Sequence, residues 1–467
     1  MNRKIAAAVS VVLILLTSLI AMVEDPSTSS ADTPSGPVPQ TPILSARRFP
    51  GVLQETIADP DLSSALDGYL SKVTGTTCAL VEQDGRTVYS HNADQILAPA
   101  SVMKLATAFA ALDVLGRDRT LSTTFAAAKN PKSGVVDGDL YVIGGGDPLL
   151  TTNGYKTVFD DPDQFVEDMG AVADAVVAAG ITSIRGGIVG DDSRHESTRW
   201  IPSWPSRYQI GGTVAPLSAL LVNDGSTGYS ETPDRANPNR RAGDPPLLFA
   251  QTLKTLLIDR GVAVDGAASA GRAPGDLQQL AVHESAPMVQ IVQEMLVNSD
   301  NTTAELLLRE IGLESSGSAT TTAGAAAVRE TLARNGFDLT GFVMNDGSGL
   351  DTGNRMPCEL ALDLVRRIDQ DPEIGPNLPV GGRTGTLKKR MLASASTGRV
   401  RAKTGTLNSV NALTGFAETP QGNVLAFAFI HNGSDTRTTG VADGFTDRLM
   451  TYAKGPKIAL LEPLPAK

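Results

Sequence analysis

The chain has 467 residues and a formal net charge of -11, and its length suggests two or three domains rather than one core. The acidic balance argues against a nucleic-acid partner, because phosphate backbones are bound by basic surfaces. The four histidines have no metal-ligand spacing and no G-x-S-x-G motif occurs. The sequence therefore disfavours a zinc peptidase and an α/β-hydrolase triad, and it predicts no cofactor.

The N-terminus predicts export. A basic start at residues 2–4 precedes Ile5 to Val23, a run without charges that is long for a signal peptide and just long enough to span a bilayer. No clear cleavage site follows, so a cleaved signal peptide and a retained membrane anchor both remain open. In either case we expect the rest of the chain to lie in the cell wall or on the outer face of the cytoplasmic membrane.

Composition divides the rest of the chain into further segments. Residues 24–48 are rich in Ser, Thr and Pro, which is typical of a linker. Between 121 and 280, Gly, Asp and Pro are frequent and the apolar runs are short, which indicates a β-rich inserted domain. The predicted organisation is a signal peptide or anchor at 1–23, the linker at 24–48, a main domain at 49–120 plus 281–455, the inserted domain at 121–280 and a tail at 456–467.

The first elements of the main domain are a hairpin and a helix. Strand-like runs at 77–82 and 87–90 meet at Asp84-Gly85, which predicts a tight turn. Pro99 to Leu115 has apolar residues at helical spacing, with Pro99 suited to the first turn and Gly116 to the stop.

Later elements complete a predicted α+β fold. Helices are expected at 287–298 and from Thr302 onward, because Thr302 and Glu305 have capping-box spacing. Strand-like runs at 400–407, 412–417 and 424–431 precede a final helix at about 441–453. This order predicts an antiparallel sheet flanked by helices. The two cysteines, Cys78 and Cys358, either pair or both remain free, and the sequence leaves this open.

Ser101 and Lys104 form the one S-x-x-K motif of the chain. Helical spacing of three places the hydroxyl and the amine on one face. A lysine whose pKa is lowered by burial can deprotonate a serine, and free N–H groups in the first helical turn favour an oxyanion. The alternative is a solvent-facing pair on an amphipathic helix, because such a motif occurs by chance about once in a chain of this length.

Two more motifs carry candidate chemistry. Ser299-Asp300-Asn301 lies in the loop between two predicted helices, although N-capping favours the same residue types. Lys403-Thr404-Gly405-Thr406 lies on a predicted strand, where its amine and hydroxyls suit a substrate carboxylate and Gly405 admits a close ligand backbone. The alternative for this motif is an exposed strand with a turn-like glycine. The order S-x-x-K, S-D-N, K-T-G, each on a suitable element, favours an active serine.

Two other stretches are interpreted as structural. Arg383-Thr384-Gly385-Thr386 could pass for a degenerate K-T-G, but the basic stretch that follows predicts a helix or loop rather than the catalytic strand. Asp147 follows three glycines, and we interpret it as a turn residue rather than as a residue that reaches the cleft.

The three motifs resemble those of penicillin-binding proteins and class A β-lactamases. Ser299 lies 198 positions after Ser101, a separation larger than a compact β-lactamase needs, and this narrows the resemblance to fewer families. A large insertion there is similar to the D-alanyl-D-alanine carboxypeptidase/endopeptidase family of low-molecular-mass penicillin-binding proteins, class C type. The stretches that match this family's pattern are 99–104, 139–141, 144–148, 191–193, 345–350 and 402–407.

The resemblance implies a transpeptidase fold and a serine hydrolase mechanism. Ser101 would attack the carbonyl of the penultimate D-alanine with Lys104 as the base, and water would then hydrolyse the acyl-enzyme. Ser299 would help to pass the proton to the leaving amine, and Asn301 would bind the acyl side of the substrate.

The resemblance also implies how the leaving side is held. Lys403 would supply a positive charge to the site, and Thr404 and Thr406 would bind the terminal carboxylate of the substrate. The backbone N–H groups of Ser101 and Thr406 would form the oxyanion hole. The partners implied are peptidoglycan stem peptides ending in D-Ala-D-Ala and β-lactams, which would acylate Ser101 and leave slowly.

Two alternatives remain. A β-lactamase or esterase on the same scaffold is disfavoured by the large insertion and by the lack of an E-x-x-L-N segment. A peptidoglycan-binding protein without activity is disfavoured because binding alone needs no nucleophile and base together.

Overall fold

The computed structural model describes residues 50–159, 161–227, 241–433 and 440–453, with side chains from Ile57 onward. Residues from Gln54 on form one compact unit. The predicted signal peptide or anchor, linker and tail lie outside the described residues. No helix in the described ranges is both long and apolar enough to cross a bilayer. The boundaries 121 and 280 of the inserted domain stay a prediction.

The helices and strands are numbered in chain order. The α-helices are α1 Pro50–Leu70, α2 Lys104–Val114, α3 Asn153–Lys156, α4 Met169–Ala178, α5 Arg207–Ile210, α6 Pro245–Asp259, α7 Met288–Asn298, α8 Asn301–Ser316, α9 Thr321–Arg334, α10 Cys358–Asp369 and α11 Gly440–Leu449. The strands are β1 Thr76–Gln83, β2 Arg86–His91, β3 Ser122–Ala127, β4 Val135–Val136, β5 Leu140–Ile143, β6 Leu150–Thr151, β7 Glu167–Asp168, β8 Ser183–Ile184, β9 Ile188–Asp191, β10 Ala263–Val264, β11 Ala268–Ala270, β12 Gln278–Glu284, β13 Val400–Leu407, β14 Val410–Glu418 and β15 Val424–Asn432.

The main sheet has the order β13-β14-β15-β1-β2 and is antiparallel throughout. Alternate residues of each strand enter two different cores, because side chains alternate across a sheet. In β1, Cys78 and Leu80 enter the core under α2, α7, α8 and α10, whereas Ala79 and Val81 enter the core under α1 and α11. The predicted hairpin and the three later strands are therefore confirmed, and helices cover both faces of the sheet.

The segment between β3 and β12 forms three further sheets. Its largest sheet has the mixed order β11-β9-β5-β3-β12, and smaller sheets have the orders β10-β8-β4 and β6-β7. α4 and α6 pack on them around a separate core that includes Phe125, Val142 and Phe249. Asp147 accepts a hydrogen bond from the backbone N–H of Leu149 at 2.9 Å, which fits the predicted turn role.

Two details of the helix starts differ from the sequence predictions. A 3-10 helix at Ala100–Met103 precedes α2, so Pro99 does not begin an α-helix. The N-cap of α8 is Asp300, which accepts from the backbone N–H of Thr303 at 2.9 Å. The predicted capping by Thr302 is wrong, because its hydroxyl instead accepts from the backbone N–H of Ala215 at 3.0 Å.

The two cysteines form a disulfide that joins β1 to the first residue of α10. Cys78 and Cys358 are both fully buried in the core on the α2 side of the sheet. The pairing that the sequence left open is thus present, and it connects segments 280 residues apart.

Candidate active site

The amine of Lys104 lies at the centre of the site. Its Nζ is 2.9 Å from Ser101 Oγ, 2.7 Å from Asn301 Oδ1 and 2.7 Å from the carbonyl oxygen of Ser348. Three acceptors match the three protons of an ammonium. The 3-10 turn brings residues three apart directly above each other, so the S-x-x-K spacing places the hydroxyl against the amine.

Burial changes the ionisation of this amine. Lys104 has no exposed surface, and the loss of solvation lowers its pKa from 10.5 to about 8, against the opposing effect of the carboxyl groups of Glu305, Asp300 and Asp346. With a pKa near 8, about one tenth of the lysine is neutral at pH 7. A neutral amine in contact with a serine hydroxyl is suited to act as a general base.

A buried carboxyl group supports the carbonyl that Lys104 contacts. Glu305 Oε1 accepts from the N–H of Ser348 at 2.7 Å and Oε2 accepts from the N–H of Gly347 at 3.2 Å. The hydroxyl of Thr107 donates to the carbonyl of Gly347 at 2.7 Å. Burial raises the pKa of Glu305 to about 8. The predicted capping box is therefore wrong for Glu305 also, because its side chain faces the core and holds the 347–348 backbone.

A second lysine contacts a second serine. Lys403 Nζ donates to Ser299 Oγ at 2.8 Å and to the carbonyl of Thr404 at 2.9 Å. Its pKa is held well below the usual value because the side chain is buried and the charge of Lys104 is close. Ser299 ends α7 in the left-handed region, with φ 59°, which turns the chain sharply before α8.

Asn301 connects Lys104 to the segment predicted as the inserted domain. Its Oδ1 accepts from Lys104, and its Nδ2 donates to the carbonyl of Thr213 at 2.8 Å. Asn301 is the first residue of α8, and these two hydrogen bonds hold both ends of its side-chain amide. The sequence did not predict the contact with Thr213, since nothing local marks a backbone carbonyl as a partner.

β13 is an edge strand of the main sheet and carries the K-T-G motif. A side chain at Gly405 would meet the carbonyl oxygen of Pro99 at 2.5 Å. Glycine therefore allows β13 to pack against the 3-10 turn that carries Ser101, a reason different from the ligand approach that the sequence suggested.

These elements surround an open cleft of about 570 Å³. Five predicted site residues line it, whereas Lys104, Lys403 and Gly405 lie behind its surface. The lining residues are Ser101, Tyr208, Thr213, Ser299, Asn301, Leu350, Thr386, Arg390, Thr404, Thr406, Leu407 and Asn408. The predicted site residues are thus brought together in one cavity or directly behind its wall.

Thr386 is a cleft residue that the sequence prediction assigned to a structural stretch. The prediction of a helix or loop for the basic stretch is confirmed, since residues 388–390 form a turn and a bend after the 3-10 helix Gly385–Leu387. However, Thr386 Oγ1 lies 3.0 Å from Thr404 Oγ1. The similarity of the Thr386 stretch to the K-T-G motif was the sequence signal available for this residue. Only the tertiary packing showed that both stretches reach the same cavity.

Comparisons with known proteins identify relatives over most of the chain. The sequence pattern described as the D-Ala-D-Ala carboxypeptidase 3 (S13) family matches residues 52–238 and 231–447. A D-alanyl-D-alanine carboxypeptidase of Actinomadura sp. (strain R39) is 31% identical over 472 residues, which cover 85% of this chain and 83% of that protein. A carboxypeptidase of Mycobacterium tuberculosis is 29% identical over 436 residues, covering 88% and 89%.

Solved structures match the fold. Penicillin-binding protein 4 from Haemophilus influenzae superposes with a TM-score of 0.67 at 21% identity, covering 84% of this chain and 98% of that one. A predatory peptidoglycan endopeptidase from Bdellovibrio bacteriovorus gives 0.52 at 19% identity, covering 82% and 94%. The predicted fold, a sheet flanked by helices as in penicillin-binding proteins, is confirmed.

Proposed function

Because the chain belongs to the D-Ala-D-Ala carboxypeptidase 3 (S13) family, we propose that it hydrolyses peptidoglycan stem peptides ending in D-Ala-D-Ala through an acyl-enzyme at Ser101. The observation that carries the proposal is the 2.9 Å contact between Lys104 Nζ and Ser101 Oγ at an open cleft. A buried amine of lowered pKa beside a serine hydroxyl is the arrangement that nucleophilic catalysis requires.

Acylation begins with neutral Lys104. Its amine takes the proton of Ser101 as Oγ forms a bond to the carbonyl carbon of the penultimate D-alanine. Backbone N–H groups of Ser101 and Thr406 stabilise the resulting oxyanion. Stabilisation of this kind is usually the largest single contribution to the catalysis of acyl transfer. Asn301, held by Lys104 and Thr213 in the free enzyme, binds the acyl side.

The leaving side of the substrate faces the second lysine–serine pair. The proton that Lys104 took from Ser101 passes through Ser299 to the leaving nitrogen as the carbon–nitrogen bond breaks, so Lys104 is neutral again. Lys403 Nζ, 2.8 Å from Ser299 Oγ, holds that hydroxyl in place. The hydroxyls of Thr404 and Thr406 bind the carboxylate of the departing D-alanine. Water then hydrolyses the ester at Ser101 and restores the serine. A β-lactam acylates the same oxygen and is released slowly.

Labelling with a fluorescent penicillin, together with D-alanine release from a pentapeptide, tests the proposal. We expect wild-type enzyme to be labelled and to release D-alanine, Ser101→Ala to do neither, and Lys104→Met to lose about 10²-fold or more in both rates. Lys129→Met, which removes an exposed lysine, is the control and should behave as wild type. Undiminished labelling of Ser101→Ala would contradict the proposal, and rapid loss of the label by hydrolysis would favour a β-lactamase.

Location and domain organisation are part of the proposal. One relative is named a D-alanyl-D-alanine carboxypeptidase and one matched structure a penicillin-binding protein, which supports action outside the cytoplasm, with residues 5–23 as signal or anchor. Residues 121–280 form the inserted domain and supply a wall of the cleft through Tyr208 and Thr213. Fractionation of cells expressing the full chain separates the two N-terminal alternatives, because only an anchored form sediments with membranes.

A further inference from the structure

A loop in the segment predicted as the inserted domain packs against the turn that contacts Lys104. This turn, residues 346–351, contains the carbonyl of Ser348 that accepts from Lys104 Nζ. Trp204 is buried in an apolar cluster that includes residues of both the loop and the turn. Its indole Nε1–H donates to Asp346 Oδ2 at 2.8 Å. The predicted inserted domain therefore reaches the surroundings of Lys104 through a buried hydrogen bond.

Asp346 organises the hydrogen bonds of the turn. Its Oδ1 accepts from the N–H of Gly349 at 2.8 Å and from Asn354 Nδ2 at 2.7 Å. Its Oδ2 accepts from the N–H of Asp351 at 2.6 Å in addition to the indole. The side chain is completely buried, so each donor offsets part of the cost of removing the carboxylate from water. Among these four donors, the indole alone comes from a distant part of the chain.

The peptide group between Ser348 and Gly349 transmits the position of Asp346 to Lys104. A trans peptide group is planar, so its C=O and N–H point in opposite directions and move together. Asp346 holds the N–H of this group at 2.8 Å, and the C=O of the same group lies 2.7 Å from Lys104 Nζ. A displaced Asp346 would let the group rotate and would withdraw an acceptor from the lysine.

The charges near Lys104 set the direction in which its pKa would change. The titratable groups that act on it are Glu305 of α8, Asp300 at the N-cap of α8, Asp346 of the turn and Lys403 of β13. Burial lowers the pKa of Lys104, and the carboxylates oppose this effect. Burial raises the pKa of Asp346, and the hydrogen bond from Trp204 opposes that. Loss of the indole N–H would therefore favour protonated Asp346. A weaker negative charge and a withdrawn carbonyl would both lower the pKa of Lys104.

We propose that Trp204 is a positioning residue for the base of the reaction, because its indole, acting through Asp346 and the 348–349 peptide group, holds the Ser348 carbonyl against Lys104. Trp204 lies behind the residues that line the cleft, so it acts without touching the substrate. The predicted inserted domain thereby takes part in acylation. The inference rests on the proposed function, in which Lys104 is the base.

The experiment measures penicillin acylation of the full chain by stopped flow between pH 6 and pH 10. Trp204→Phe keeps an aromatic ring and removes the N–H. We expect its plateau rate to fall about 5- to 20-fold, because the amine and the hydroxyl lose their alignment. The inflection of its pH profile should lie about 0.5 to 1 pH unit below that of wild type. Trp200→Phe is the matched control, because Trp200 packs against the same apolar cluster, and it should keep both the plateau and the inflection.

A double-mutant cycle tests whether the effect passes through Asp346. Asp346→Ala should itself lower the plateau rate, because it releases the turn. In the Asp346→Ala background, Trp204→Phe should change the plateau less than about twofold, because the acceptor of the indole is already absent. If Asp346→Ala does not fold, the comparison of the two tryptophan variants decides alone.

The outcomes separate positioning from packing and from the proposed function. An inflection at the wild-type pH in Trp204→Phe, or an unchanged plateau, would overturn the positioning role whatever happened to stability, since loss of packing alone does not move the ionisation of Lys104. Additive losses in the double variant would contradict transmission through Asp346. Wild-type enzyme that penicillin does not acylate would instead overturn the proposed function itself.

Discussion

Acylation of Ser101 should depend on pH through Lys104. The free lysine has a pKa of 10.5, and complete burial lowers that of Lys104 to about 8 in the folded enzyme. Only the neutral amine accepts the serine proton, so the acylation rate should follow the neutral fraction. We expect the rate to rise about tenfold per pH unit below pH 8 and to level off above it.

The size of the expected rate gain follows from the shift in the pKa of Lys104. At pH 7 an unperturbed lysine is about 0.03% neutral, whereas a lysine of pKa 8 is about 10% neutral, a gain of about 300-fold. The same shift corresponds to about 3 kcal/mol that opposes folding while the group is charged. The pKa is lower in the folded state, so this cost is fully present below pH 8. It is relieved as pH rises from 8 towards 10.5, where the unfolded chain still binds the proton.

Stopped-flow measurement of penicillin acylation between pH 6 and pH 10 tests this reasoning. The wild-type rate at pH 6 should be about 100-fold below the plateau. Lys104→Arg serves as the comparison, because a guanidinium stays protonated and should abolish both the rate and its rise with pH. A rate that is flat between pH 6 and pH 8, or an inflection near 10.5, would refute the assignment of Lys104 as a base whose pKa is lowered by burial.

Three further predictions concern the fold around the site. Ser299 has φ 59°, so the free energy of unfolding in denaturant should be about 1 kcal/mol higher for Ser299→Gly than for Ser299→Ala. Both variants should lose penicillin acylation. Equal free energies of unfolding would show that the backbone at this position is not strained. Gly349 and Gly336 have φ of 84° and 80°, but only at Gly349 would a Cβ overlap the backbone of Ala100 beside Ser101. Gly349→Ala should therefore lower the free energy of unfolding by about 1–3 kcal/mol more than Gly336→Ala, as measured by thermal unfolding. It should also slow acylation, as measured by penicillin labelling. Equal losses of stability in the two variants would contradict the packing argument. Replacing Cys78 and Cys358 together by Ser should lower the free energy of unfolding by about 2–5 kcal/mol in urea, and reductant should then have no further effect.

The sequence by itself determined the order of the three motifs and the strands of the main sheet. Ser101 and Lys104 are three residues apart, so any helical turn brings their side chains together. The strand pattern of 400–431 and the hairpin at Asp84-Gly85 are local signals of the same kind, and the structure confirms them. Such features are predictable because the residues that define them are neighbours in the chain.

Tertiary structure decided the features that depend on residues far apart. The carbonyls of Ser348 and Thr213 contact the site through backbone atoms, which leave no mark on residue type. Glu305 has capping-box spacing, yet its carboxyl group faces the core, because Asp300 already caps the helix. Thr386 belongs to the degenerate K-T-G stretch that the sequence predicted not to be the catalytic strand, and its side chain still reaches the cleft. Local spacing sets the contact between Ser101 and Lys104, but the groups around this pair are fixed by packing between segments that the sequence does not relate.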